Sequence, residues 1–240
     1  MKVILHNRKR FKNSQAESIV EITNTDDLNV FLLDTRGFNG TVAVDGHNEG
    51  VQKLLIEADE VYLPSTMVKQ YGEFLNEEKC FLYFEMEVHP PSARFIELLN
   101  AENQNRRGVF RMKRSSDSGL NKEAMLSDVF VFSKLFGEVS SVFLKKSVRE
   151  RHCYLISCVT FQKDVMAHFE YLASDASEDS LEMEWSGQGA NLDYSSDKSE
   201  PDYLIDVVSL QEKSYSLKSQ IAQEYLSFSS EERWSGEEVK

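Results

Sequence analysis

The first half of the chain alternates short apolar runs with stretches of helical spacing. Val3-Ile4-Leu5 predicts a strand, Val30-Phe31-Leu32-Leu33 a buried strand, and Thr41-Val42-Ala43-Val44 another. Residues 48–57 carry the spacing of a helix. Glu60-Val61-Tyr62-Leu63 predicts a strand that stops at Pro64-Ser65-Thr66, where a hydroxyl can cap the next helix. That helix sets Val68, Tyr71 and Leu75 on one face. Cys80-Phe81-Leu82-Tyr83-Phe84 is apolar throughout, as strands covered on both faces are. Pro90-Pro91-Ser92 then opens a helix bearing Phe95, Leu98 and Leu99. Strands separated by helices need crossover connections, and crossovers imply a parallel sheet.

Between 86 and 108 the texture changes. Residues 109–113 predict a strand, and 121–136 a helix with Met125, Val129, Phe132 and Phe136 on one stripe, ended by Gly137. Strands follow at 141–145, 153–161 and 165–172, the last two joined by a hairpin turn at Gln162-Lys163-Asp164. Residues 181–185 and 190–194 make a second antiparallel pair around Ser186-Gly187-Gln188-Gly189, whose glycines are expected to supply positive φ. Leu210, Leu217, Ile221 and Tyr225 predict a closing helix. The fold class read from this order is α/β plus α+β. A small parallel-sheet domain spans 1–88, and an open, mostly antiparallel sheet with helices on one face spans 89–228. Residues 229–240 read as a polar, loose tail, with Trp234 exposed and Trp185 partly buried.

Charge removes several function classes. Forty Asp and Glu against twenty-seven Lys and Arg give a net charge of −13. Such a chain repels phosphate backbones and anionic lipid, so neither nucleic acid nor membrane is an expected partner. The densest basic run, 145–151, has Glu150 inside it. No apolar run approaches the ~20 residues of a membrane span, and the three apolar residues before Arg8-Lys9-Arg10 are too few for a secretory signal. Cys80, Cys153 and Cys158 lack framework spacing and read as reduced thiols of a cytoplasmic protein, with Cys80 and Cys158 as packing residues.

Recognisable chemistry is sparse. The five histidines, at 6, 47, 89, 152 and 168, are scattered, and His152-Cys153 point to opposite faces of a strand, so no metal site is expected. His168 and Glu170 share a strand face that is either simply polar or lines a pocket. Neither a nucleophile elbow nor a Walker loop occurs.

Three passages resemble the family of glucose-fructose oxidoreductase, inositol dehydrogenase and their relatives. Asp59-Glu60-Val61-Tyr62-Leu63-Pro64 is similar to that family's Asp-x-Val strand ending near a proline. Lys79 to Glu87 resembles its strand running from Gly-Lys into Glu-Lys-Pro, and Lys134-Leu135-Phe136-Gly137-Glu138-Val139 its helix end, Trp-Leu-Leu-Gly-x-Val. The likeness covers about 59–195 and implies a Rossmann domain, an open antiparallel sheet where subunits meet, and an NAD(P)-dependent sugar oxidoreductase.

The departures fall on the residues that carry the family's chemistry. The glycine loop that cradles a dinucleotide's pyrophosphate is replaced by His6-Asn7-Arg8-Lys9-Arg10, with no glycine before Gly37. That segment reads as a solvated basic turn or as a cationic phosphate site. The region before Asp59 is short for the family's nucleotide domain. Glu85-Met86-Glu87 lacks the family's lysine, and Glu123 and Ser127 stand where its helix carries Asp and, four residues on, His. Serine does not titrate near neutral pH. Asp128 is one position off and is expected to point elsewhere, so that 123, 127 and 128 read as first-turn polar residues.

The resulting expectation is a non-catalytic relative with no catalytic residue and no cofactor, acting by partner or small-ligand binding, as a homodimer through the second sheet or with a heteromeric partner. The alternative is a working NAD(P)-dependent oxidoreductase on a sugar or polyol-like substrate with rearranged groups. By resemblance of position, its cofactor would meet Asn7, Arg8, Pro64, Ser65, Thr66 and Glu85.

Overall fold

The computed structural model describes residues 2–5, 11–12, 19–22, 25–34, 40–44, 51–74, 76–101, 107–116, 122–149, 152–174, 179–196, 205–234 and 237–239. In chain order the first elements are β1 (Lys2–Leu5), β2 (Phe11–Lys12), β3 (Ile19–Ile22), α1 (Thr25–Asp34), β4 (Thr41–Val44), α2 (Val51–Glu57), β5 (Glu60–Pro64), α3 (Val68–Tyr71), β6 (Cys80–Tyr83) and α4 (Glu85–Val88). There follow α5 (Pro90–Ala101), β7 (Gly108–Ser116), α6 (Lys122–Phe136), β8 (Val139–Arg149), β9 (His152–Phe161), β10 (Val165–Ser174), β11 (Ser180–Gly187) and β12 (Asn191–Ser195). The last are β13 (Ile205–Asp206), α7 (Val207–Lys213), β14 (Tyr215–Ser216), α8 (Gln220–Ser229) and β15 (Glu237–Val239). Two compact units result, 1–90 with 203–225 and 91–202 with 226–240.

The first unit is built on a parallel sheet in the order β6-β5-β4-β1-β3, with β14 added antiparallel to β6. This is the Rossmann arrangement, in which the first strand lies central and the chain winds outward in both directions. A further strand beyond β3 is not found among the described residues. Ala43, Tyr62 and Phe81 stand in register on one face, where Tyr62 and Phe81 stack with ring centroids 5.4 Å apart. The returning segment covers that face, packing Ile205, Val207 and Leu210 on Ala43, Tyr62, Tyr83 and Val88. Asp206 starts α7 by accepting a hydrogen bond from the Val208 amide at 3.0 Å.

Two sequence expectations fail in this unit for physical reasons. Residues 30–33 lie in α1 rather than in a strand: Leu28 and Phe31 are buried while Val30 is 59% exposed, which is helical periodicity. The closing helix is broken into α7 and α8, because Tyr215-Ser216 leave helix to pair with Leu82 and Phe81. Leu75 lies outside the described residues.

The second unit is a seven-stranded sheet in the order β12-β11-β7-β10-β9-β8-β15. Its pairs are antiparallel except β10 with β7 and β15 with β8. The hairpin at Gln162–Asp164 holds, with Asp164 at φ 58° closing the turn between β9 and β10. Helix α6 is buried from Ala124 to Phe132 without interruption, and its rings meet those of the sheet. Phe110 lies 4.2 Å from Phe132 and 5.7 Å from Phe169, and Phe136 stacks on Trp185 at 5.4 Å. Gly137, at φ 91°, ends the helix by donating its amide to the Ser133 carbonyl.

Two local readings are corrected here. Gly187 is not in the positive-φ region. A Cβ there would lie 2.5 Å from Trp185 Nε1, so the ring rather than the turn excludes a side chain. Trp234 is fully buried, with its Nε1 donating to the Phe228 carbonyl at 2.8 Å. Val159 points inward toward α6, so that of β9 only the set Tyr154, Ile156, Cys158 and Thr160 lies on the open face.

The buried tyrosines set an alkaline limit on the first unit. Burial above all, then the charge of Glu60 with its carboxylate 3.4 Å away, pushes the Tyr62 phenol up from 10 to about 12. An unfolded tyrosine ionises near 10, so the stabilising difference is complete below that pH and is lost as pH rises toward 12. Urea unfolding midpoints are expected to stay level to about pH 8 and then fall, buried Cys80 contributing at the lower end and Tyr62 above about pH 10. Tyr62→Phe should flatten part of that fall, and an unchanged slope would contradict the assignment.

Candidate functional site

Because β4, β5 and β6 run parallel, their carboxyl ends reach one edge of the first sheet, the edge at which open α/β sheets bind ligands. Pro64 ends β5, and Ser65 and Thr66 begin the turn that follows it, with Ser65 buried and Thr66 half-buried. The Ser65 carbonyl accepts a hydrogen bond from the Tyr225 hydroxyl at 3.1 Å. Half-buried Glu85 opens α4 just past β6, so four of the six sequence-nominated positions gather at this edge. Asn7 and Arg8 lie outside the described residues.

What fills the edge is set by the chain itself. The Tyr83 hydroxyl crosses β5 to donate to the Val44 carbonyl at 2.6 Å, closing off the end of β4. Met86, where the resembled family places its lysine, is 1% exposed. Glu87 is engaged on both sides: its carboxylate accepts the Tyr215 hydroxyl at 2.9 Å and its carbonyl the Lys213 ammonium at 3.1 Å. Against a dinucleotide these described groups are a poor match. They are buried or bonded to one another, and the phenol of Tyr83 lies across the strand ends.

A second polar cluster is sealed in the other unit. Arg114, on the inward face of β7, donates to Asp128 Oδ2 of α6 at 2.9 Å, and the Tyr171 hydroxyl of β10 donates to the same oxygen at 2.9 Å. All three are buried, as are Ser116 and Ser127. Asp128 and Ser127 are therefore not solvated first-turn residues. Helix α6 is covered around its circumference, leaving them no path to water. Sequence reasoning missed Arg114 and Tyr171, although a signal was present. Arg114 follows Phe110 and Met112 at a spacing of two on an inward strand face, and a buried guanidinium demands an acid.

The open face of the second sheet presents the third site. Arg111 pairs with Glu184 at 3.2 Å and Lys113 with Glu182 at 3.7 Å across β7 and β11, and His168 Nδ1 lies 3.3 Å from Glu170. The Tyr154 hydroxyl donates to the other oxygen of Glu170 at 2.9 Å. These charges line a shallow cavity of about 300 Å³ together with Asp193 and Ser195, so the polar face foreseen at His168 and Glu170 does line a pocket. Beside it the face turns apolar, through Cys158, Ile156, Phe143 and Met166, the last two 60% and 53% exposed. Burial foremost, then the charge of Glu170, pushes the Cys158 thiol up. Cys80 is buried and pushed up to about 12 by desolvation, as a packing residue should be. Among the described residues no three His, Cys, Asp or Glu side chains converge as metal ligands, and no helix is long and apolar enough to cross a membrane.

No family model matches the sequence, and no curated protein sequence matches it. Solved structures do share the fold, among them a reductase and dehydrogenases. A biliverdin reductase from Synechocystis sp. PCC 6803, solved with biliverdin and NADP+, superposes with a TM-score of 0.51 at 12% identity, over 81% of this chain and 79% of that one. A probable dehydrogenase from Thermotoga maritima gives 0.51 at 10% identity, over 80% and 75%. The WlbA dehydrogenase from Thermus thermophilus, solved with NAD and α-ketoglutarate, gives 0.50 at 11%, over 92% and 82%. At these identities the likeness establishes the fold, a Rossmann-type sheet followed by a mostly antiparallel one.

The sealed ion pair makes a separable prediction. Arg114→Met leaves the Asp128 carboxylate buried without its cation and should cost about 3–5 kcal/mol in urea unfolding. The double change Arg114→Met with Asp128→Leu should recover most of that loss. A single change costing under about 1 kcal/mol would show the pair to be solvated.

Proposed function

We propose that the chain, built on the fold of NAD(P)-dependent dehydrogenases, is a non-catalytic relative of the sugar oxidoreductases that acts by binding. The observation that carries this reading is position 127. Where the family's helix offers a titratable base, this chain has a serine 1% exposed, flanked by an aspartate already bound to Arg114 and Tyr171. A buried hydroxyl neither titrates near neutral pH nor reaches a substrate. Buried Met86 in place of the lysine supports the same reading, and so does the Tyr83 bridge across the cofactor edge. A cytoplasmic setting fits the acidic composition and the three free thiols.

The second reading is an NAD(P)-dependent oxidoreductase on a sugar or polyol-like substrate. Two structures of the same fold, solved with NADP+ and with NAD, favour it. A bound dinucleotide would supply the hydride acceptor. Pro64, Ser65, Thr66 and Glu85 would then meet it along the strand ends, and Asn7 and Arg8 are nominated for its phosphates by resemblance of sequence position. Calorimetric titration with NADH and NADPH separates the readings. The binding-only reading expects no dissociation constant tighter than about 10 μM, near −7 kcal/mol. Tighter binding moves the chain to the second reading.

The partner surface we propose is the open face of the second sheet, joined to the same face of another copy. Helices cover the opposite face, while Phe143, Met166, Ile156 and Cys158 leave an apolar patch beside charges of both signs. Patches of that kind mark interfaces. Sedimentation at micromolar concentration is expected to give a dimer of the 27.6 kDa chain. Phe143→Glu or Cys158→Glu should dissociate it without lowering the unfolding midpoint, whereas inward Val159→Glu should unfold the protein. A native monomer ends this proposal.

A further inference from the structure

Residues 145–149 of the basic run lie on β8, and β8 would be the outermost strand of its sheet but for β15. Glu237, Glu238 and Val239 pair in parallel with Lys145, Lys146 and Ser147. Two acidic positions thus stand opposite two lysines, an arrangement that favours pairing across strands.

The chain is delivered to this edge by an anchored segment. Buried Trp234 packs 4.8 Å from Phe228, which lies 5.5 Å from Phe130 of α6. Next to it the Arg233 guanidinium donates to the Val139 carbonyl at 2.8 Å, at the start of β8, and also pairs with Glu231. Beyond this anchor three of the described residues are held by the ladder, along a strand of eleven. Parallel pairing is the weaker kind per residue, and short edge ladders open locally at low cost. Charged edge strands are a means of resisting unwanted pairing. Here the strand that pairs with the charged edge is itself acidic in sequence.

We propose that the outer edge of β8 is a strand-addition site for an extended acidic peptide, two adjacent carboxylate residues followed by an apolar one, and that β15 is the chain's own occupant of it. Main-chain hydrogen bonds supply the attraction in such sites, and side-chain positions along the strand supply the selectivity. Lys145 and Lys146 are the selecting positions. The proposal is independent of the dinucleotide and dimer readings.

Hydrogen exchange on the full chain tests the resident pairing. The amides of 145–147 are expected to be protected in the native protein and to exchange at least about tenfold faster in Glu237→Lys/Glu238→Lys and in Lys145→Glu/Lys146→Glu. The fourfold charge-swapped protein should regain protection. A labelled peptide with the native 235–240 sequence then tests the vacated edge. It should bind Glu237→Lys/Glu238→Lys about tenfold or more tightly than the native protein, whose own strand competes at high effective concentration. It should not bind Lys145→Glu/Lys146→Glu. Equal exchange in native and reversed proteins, equal peptide binding to all three, or binding to none would each overturn the proposal.

Discussion

The second unit depends on one act of burial, that of α6 against a single face of the seven-stranded sheet. The helix carries apolar residues around its circumference, so it is stable only inside. Phe110, Phe169 and Trp185 of the sheet meet Phe132 and Phe136 of the helix with ring centroids about 4–6 Å apart. A sheet that spends one face on such a helix has only its other face left for partners. The division of β7 follows from the same constraint. Its even-numbered residues from Phe110 to Ser116 face the helix, and Arg111 and Lys113 face outward into the charged cavity.

That burial also explains the polar chemistry. A guanidinium and a carboxylate can share this interior only because each offsets the other's desolvation, and Tyr171 supplies a further donor to the carboxylate. Helix α6 therefore commits Asp128 to a structural ion pair, with buried Ser127 beside it. In the first unit the returning segment plays the comparable part. Tyr215, Lys213 and Tyr225 bring their polar atoms to the backbone and carboxylates around the strand ends.

Much of the architecture was legible from local pattern. Continuous apolar runs gave β5 and β6, the stripe from Met125 to Phe136 gave α6, and Gln162-Lys163-Asp164 gave the β9–β10 turn. What escaped was fixed at a distance. Strand β3 is four residues and was unread, and β14 is two residues defined only by pairing with β6. The apolar run at 30–33 is as good a strand as a helix until burial shows which side chains turn inward. Trp234 stands among acidic residues and reads as exposed, yet Phe228 and a backbone carbonyl hold it inside. The edge positions Pro64, Ser65, Thr66 and Glu85 were reachable through resemblance, because strand ends are where the motif lies. The Arg114–Asp128–Tyr171 cluster joins three elements and has no local spelling.

The packing around Ser127 has an evolutionary consequence. In an accessible cleft, a base can be gained or surrendered by one codon change, and the chemistry remains a step away in either direction. Here a histidine at 127 would replace a side chain that is 1% exposed, where overpacking costs about 1–3 kcal/mol. Its neighbour would still be tied to Arg114. The ion pair raises a barrier: an imidazole at 127 would be added beside a carboxylate already committed to Arg114 and Tyr171.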